Sequence, residues 1–135
     1  MYKIIKKNSL LLAHLPFIVY VIILTWFLAL PSVKFVEVFA ISDKIEHFFA
    51  FFVLTFLFAF SVHFQTRFKN YSKAVFVIVL LIVAVYGAAT EIMQSFIPGR
   101  SCDFIDWLLD FSGAIIGIVV FIPFIKFISE EKESK

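Results

Sequence analysis

Between Glu91 and Gly117 the chain reads EIMQSFIPGRSCDFIDWLLDFSGAIIG, a concentration of side chains able to do chemistry inside an otherwise apolar sequence. Glu91 and Gln94 are three residues apart and share a helix face. Asp103, Asp106 and Asp110 follow at steps of three and four, the spacing of a second helical stripe. Arg100 stands on the short connection between the two segments. Upstream, Asp43 and His47 are four apart, with Lys44 beside them. An imidazole among carboxylates suits general acid/base work, and Glu91, His47 and Asp106 are the candidates for it. The planar fork of Arg100 suits a phosphate or carboxylate, and Gln94, Asp43, Lys44, Asp103 and Asp110 complete a candidate substrate-binding set. The same oxygen-rich donors suit Mg²⁺, Ca²⁺ or Mn²⁺, or Zn²⁺ through the histidine. No His-Glu-x-x-His or paired Cys-x-x-Cys spacing adds weight to a metal. For Arg100 a structural reading stands beside the functional one, in which it neutralises Asp103 or Asp106 and locks the turn.

The elements that must position these groups are membrane helices. Of 135 residues, 62% are hydrophobic and only 16% charged, with a mean hydropathy of +1.02, against roughly 25% charged in soluble domains. The apolar residues fall into four blocks, about 9–30, 43–64, 74–97 and 103–128, each near or above the roughly 20 residues that cross a bilayer as helix. The expected fold is therefore all-α, a compact bundle of four transmembrane helices forming a single domain over 1–135. The first apolar run is longer than a signal peptide's core and reads as a retained span. Pro16 fits the first turns of a helix that begins near Leu12. Pro98-Gly99 predicts a tight turn after the third span, because proline presets its first position and glycine accepts a positive φ at its second. Pro123 is expected to kink the fourth span. The phenylalanines from Phe48 to Phe60 wrap the second helix and predict no aromatic binding box. His14 reads as an interfacial or packed histidine rather than a ligand. His63, Trp26 and Trp107 fit interface anchoring. Cys102 has no partner for an internal disulfide.

Basic residues set the expected orientation. With both termini cytoplasmic, nine Lys and Arg lie inside and only Lys34, Lys44 and Arg100 outside. Seven acidic residues, Glu37, Asp43, Glu46, Glu91, Asp103, Asp106 and Asp110, then gather at the outer face. The net charge of +2 belongs to the cytoplasmic loops and is no sign of nucleic-acid binding. Asp106, Asp110, Gly113 and Gly117 form one stripe. Its glycine half is a small-xxx-small pair that lets another helix approach closely, so its acidic half is expected inside the bundle or in a watery cleft. Ionisable groups at membrane depth cost on the order of 2.5–3.5 kcal/mol by insertion scales and mark function by default.

The segments SDKIEHFFAFF, EIMQSFIPGR and DFIDWLLDFSGAIIG resemble the VanZ-like membrane protein family, named after a protein associated with teicoplanin resistance. Asp43, Lys44, His47, Glu91, Gln94, Arg100, Asp103, Asp106, Gly113 and Gly117 match its motif. Asp110 departs from it, since the family more often has asparagine there. An ionised Asp cannot donate a hydrogen bond, so Asp110 is expected to be protonated or paired with Arg100 or His47. The resemblance implies a multi-pass protein of a bacterial-type cytoplasmic membrane with a role at the envelope. It brings no settled reaction. Three function classes follow from the residues: an enzyme or binding factor for a lipid-linked or anionic envelope molecule, a non-catalytic membrane partner protein, or a proton-coupled carrier. The carrier is disfavoured because the sequence lacks broken-helix Gly/Pro pairs in matching halves.

Overall fold

The computed structural model describes residues 2–31, 40–65 and 73–130. Its elements are α1 (Tyr2–Lys7), a π-helical turn (Leu10–His14), α2 (Leu15–Leu28), α3 (Ala40–His63), α4 (Lys73–Gln94) and α5 (Phe104–Glu130). No strand occurs among the described residues. Among the described residues, four stretches are long and apolar enough to cross a membrane: Leu10–Leu28, Lys44–His63, Ala74–Gln94 and Phe104–Ser129. The chain is a multi-pass membrane protein.

Helix begins at Tyr2, ten residues before the expected start at Leu12. Pro16 is the physical reason for the form this takes. Proline has no N–H to give to the carbonyl four residues back, and its ring crowds that carbonyl. The backbone widens into a π turn just before it, where the Leu15 N–H bonds the Leu10 carbonyl five residues earlier. Pro16 then occupies the opening positions of α2, where its missing donor costs little.

Two helices, α3 and α5, form the central pair. A Cβ at Gly113 would collide with the carbonyl oxygen of Phe48, and one at Gly117 would sit 2.8 Å from that of Phe52. Only glycine permits so close an approach of backbones. Toward one end of this pair lies an apolar cluster of Ala59, Phe64, Val79, Phe121, Ile125 and Ile128. His63, at the end of α3, packs edge-on to Tyr2 and to Phe121 of this cluster. A second cluster holds Leu24, Leu28, Phe51, Leu54, Val83 and Ala114. α4 lies against α5, and the indole N–H of Trp107 donates to the Ala84 carbonyl at 3.0 Å. Trp107 is thus bonded to protein, with Phe104 and Phe111 stacked on its faces. Trp26, by contrast, is exposed.

The link from α4 to α5 is the expected turn. Arg100 N–H bonds the Ile97 carbonyl at 3.1 Å, and Gly99 has φ 84°. That positive φ at the third residue of the turn, directly after Pro98, is the geometry glycine accepts without strain.

Candidate functional site

At the Arg100 end of the bundle three helices bring polar side chains into the interior. α3 supplies His47, α4 supplies Glu91 and Gln94, and α5 supplies Asp106 and Asp110; all five are buried. The α5 stripe does what its spacing predicts, since Asp106, Asp110, Gly113 and Gly117 all face inward.

His47 is the hub. Its Nδ1 lies 2.9 Å from Asp110 Oδ1 and 4.0 Å from Glu91 Oε1. The bond to Asp110 holds the ring with Nδ1 toward α5 and leaves Nε2 as its other nitrogen. Of the two partners foreseen for Asp110, His47 is the one that bonds it. Asp110 fits because Gly87 on α4 has no side chain; a Cβ there would lie 3.3 Å from Asp110 Oδ2 and 3.2 Å from Phe51.

Glu91 has a divided task. Its Oε2 accepts the backbone N–H of Asp103 at 2.9 Å. Asp103 in turn caps α5: its Oδ1 accepts the Ile105 N–H at 2.8 Å and its carbonyl accepts the Asp106 N–H at 3.1 Å. In a capping box the residue at N3 reaches back to the N-cap N–H. Here N3 is Asp106, one methylene shorter than Glu, and Glu91 performs that task from the preceding helix. Its other oxygen, Oε1, points toward His47 and has no hydrogen-bond partner among the described residues. Gln94 Nε2 and Asp110 Oδ2 are likewise buried without one.

The basic residues stay at the rim. Lys44 Nζ lies 4.0 Å from Asp103 Oδ2, and the pair is partly exposed. Arg100 does not lock the turn through Asp103 or Asp106; its Nε donates to the Leu30 carbonyl at 3.0 Å, tying the turn to the end of the first span. The side chain of Asp43, and the whole of Lys34, Glu37, Arg67 and Lys69, lie outside the described residues.

Between α2 and α3 opens a cavity of about 350 Å³, lined by apolar side chains of α2 that include Ile23 and by Tyr20, Glu46, His47 and Arg100. One wall is apolar and the head is polar. Tyr20 braces the opening by donating its hydroxyl to the Ala50 carbonyl at 2.9 Å. A larger cavity of about 430 Å³ lies between the first three spans nearer the other end, where His14 Nδ1 and Ser61 Oγ are 2.7 Å apart. No carboxylate lines it, so the smaller cavity is the candidate site.

Sequence reasoning named His47, Glu91, Gln94, Arg100, Asp106 and Asp110, and the structure gathers them at one end. It missed Gly87, Glu46 and Tyr20. A lone glycine within an apolar helix was the signal available for Gly87.

The model of the family described as VanZ/LLP1 matches residues 17–127, a stretch that contains every site residue above. No curated protein matches, and no solved structure matches.

Proposed function

We propose, from the premise that this chain belongs to the VanZ/LLP1 family, that it takes up an anionic amphiphile at the outer edge of a cytoplasmic-type membrane. The molecule is a lipid phosphate or a lipid-linked envelope precursor. The observation that carries this reading is the cavity between α2 and α3, which joins an apolar wall of Leu24, Phe27 and Leu28 to a polar head of Arg100, His47 and Glu46. An acyl or isoprenoid chain meets the wall, and the anion meets the guanidinium. Arg100 uses Nε for the Leu30 carbonyl, and the other edge of its planar fork presents two parallel donors to an anion.

The His47–Asp110 bond favours chemistry over simple recognition. An imidazole braced by a buried carboxylate is poised to take a proton from a water or hydroxyl brought to the cavity and to return it to a leaving group. The acidic outer face and the count of basic residues support the orientation with both termini cytoplasmic.

The test is a mass-spectrometric comparison of envelope lipids from cells expressing wild type, Arg100→Ala, His47→Gln or nothing, with equal insertion shown first. A lipid species that changes only with wild type supports the reading. Identical lipid profiles in all four samples contradict the catalytic form.

A further inference from the structure

We propose that the buried polar layer is a divalent-cation site with His47, Glu91 and Asp106 as its ligands. The donor atoms of these three residues lie within 4.8 Å of one another, and all three are buried. They come from α3, α4 and α5, so a bound ion ties together the helices that carry the site.

Two further observations point to a ligand. Glu91 is held by one oxygen, which accepts the Asp103 N–H at 2.9 Å, while the other, Oε1, is buried without a hydrogen-bond partner among the described residues and lies 4.0 Å from His47 Nδ1. A buried carboxylate oxygen left so is costly, and a cation satisfies it. Asp110, bonded to His47 at 2.9 Å, supplies the outer carboxylate that orients a ligating histidine and raises its basicity. The described cations at this end point elsewhere, Lys44 to Asp103 and Arg100 to Leu30.

The donor set selects the ion. One imidazole and two carboxylates make a mixed nitrogen and oxygen site, suited to Mn²⁺ or Zn²⁺. Ca²⁺ asks for six to eight oxygens, more than these side chains provide. The consequence for function rests on the proposed anion site: carboxylates beside the cavity repel a phosphate, and a divalent ion among them reverses that repulsion and can be shared with the phosphate oxygens. In that state His47 serves as ligand, and the proton-taking role proposed for it belongs to the ion-free chain. Ion binding itself needs no lipid, so the two proposals can fail separately.

The experiment uses the full chain, purified in detergent, stripped with chelator and titrated with Mn²⁺ while electron paramagnetic resonance follows the free ion. The expected result is one saturable Mn²⁺ per chain, with nitrogen coupling to the bound ion from the His47 imidazole. Asp110→Asn weakens binding about 10–100-fold, and Glu91→Gln and Asp106→Asn weaken it at least as much. Helical circular dichroism identifies any variant that fails to fold, and the wild type then decides alone. No saturable site on folded wild type, bound Mn²⁺ without nitrogen coupling, or wild-type affinity in folded Glu91→Gln overturns the proposal.

Discussion

The α3–α5 contact and the α2–α3 contact are built on opposite plans. In the first, Gly113 and Gly117 bring α5 against the backbone of α3, and no side chain separates them. In the second, α2 buries little beyond Leu24 and Leu28, while Ile22 and Phe27 are each 63% exposed. What holds α2 is a set of separated fastenings: the stack of Phe17 on Phe58, Tyr20 on the Ala50 carbonyl, Thr25 on the Tyr86 hydroxyl and Arg100 on the Leu30 carbonyl. Cavities lie between them. In lipid there is no hydrophobic drive to close such gaps, because hydrocarbon chains are as apolar as leucine. The difference separates two needs of a membrane site. A tight, glycine-paired seam holds polar groups in place, and a loosely fastened helix leaves room for a chain to lie beside them.

The comparison can be broken most forcefully at the seam. Gly113→Leu drives a side chain into the Phe48 carbonyl, and overpacking of this kind costs about 3 kcal/mol or more. The expected outcome is loss of monodisperse protein in detergent size exclusion. Second in size, Asp110→Leu removes the partner of His47 within the same seam and costs about 1–3 kcal/mol, read as a lower thermal midpoint of helicity. Asp103→Ala, at the entrance to α5, removes the cap side chain at about 0.5–2 kcal/mol, while the Glu91 bond to its backbone N–H stays. The loose side answers weakly. Tyr20→Phe removes one interhelical hydrogen bond, at about 0.6 kcal/mol. Ile23→Trp, on the exposed wall of the cavity, leaves stability within about 0.5 kcal/mol yet fills the space and abolishes uptake of the amphiphile. A large loss of stability from Ile23→Trp shows that α2 is packed as tightly as α5.

The helices and the polar layer were legible in the sequence for different reasons. Spans follow from apolar runs whose length the bilayer dictates. The α5 stripe follows from the step of 3.6 residues, which sends Asp106, Asp110, Gly113 and Gly117 to one face before any partner is known. The Pro98-Gly99 turn is local chemistry. What escaped depends on how helices are rotated against each other. Gly87 matters only because Asp110 points at it, and Trp107 bonds Ala84 only because α4 and α5 run side by side. The structural reading of Arg100, a pairing with Asp103 or Asp106, rests on nearness along the chain. Arg100 bonds Leu30, 70 residues away, because the turn ends beside the first span. The bond from the Asp103 N–H to Glu91 joins two signals, a carboxylate on α4 and the N-cap of α5, that sit 12 residues apart.

The central claim is that the cavity beside α2 receives an anionic amphiphile through Arg100. Native mass spectrometry of delipidated protein, titrated with dodecyl phosphate or with dodecyltrimethylammonium, tests it most directly in wild type and Arg100→Ala. The account predicts saturable uptake of one dodecyl phosphate by wild type and weaker uptake of the cationic amphiphile. Loss of a charge-assisted contact worth about 1.5–3 kcal/mol weakens phosphate binding about 10–100-fold in the variant. Equal affinity of wild type and Arg100→Ala for dodecyl phosphate contradicts the account.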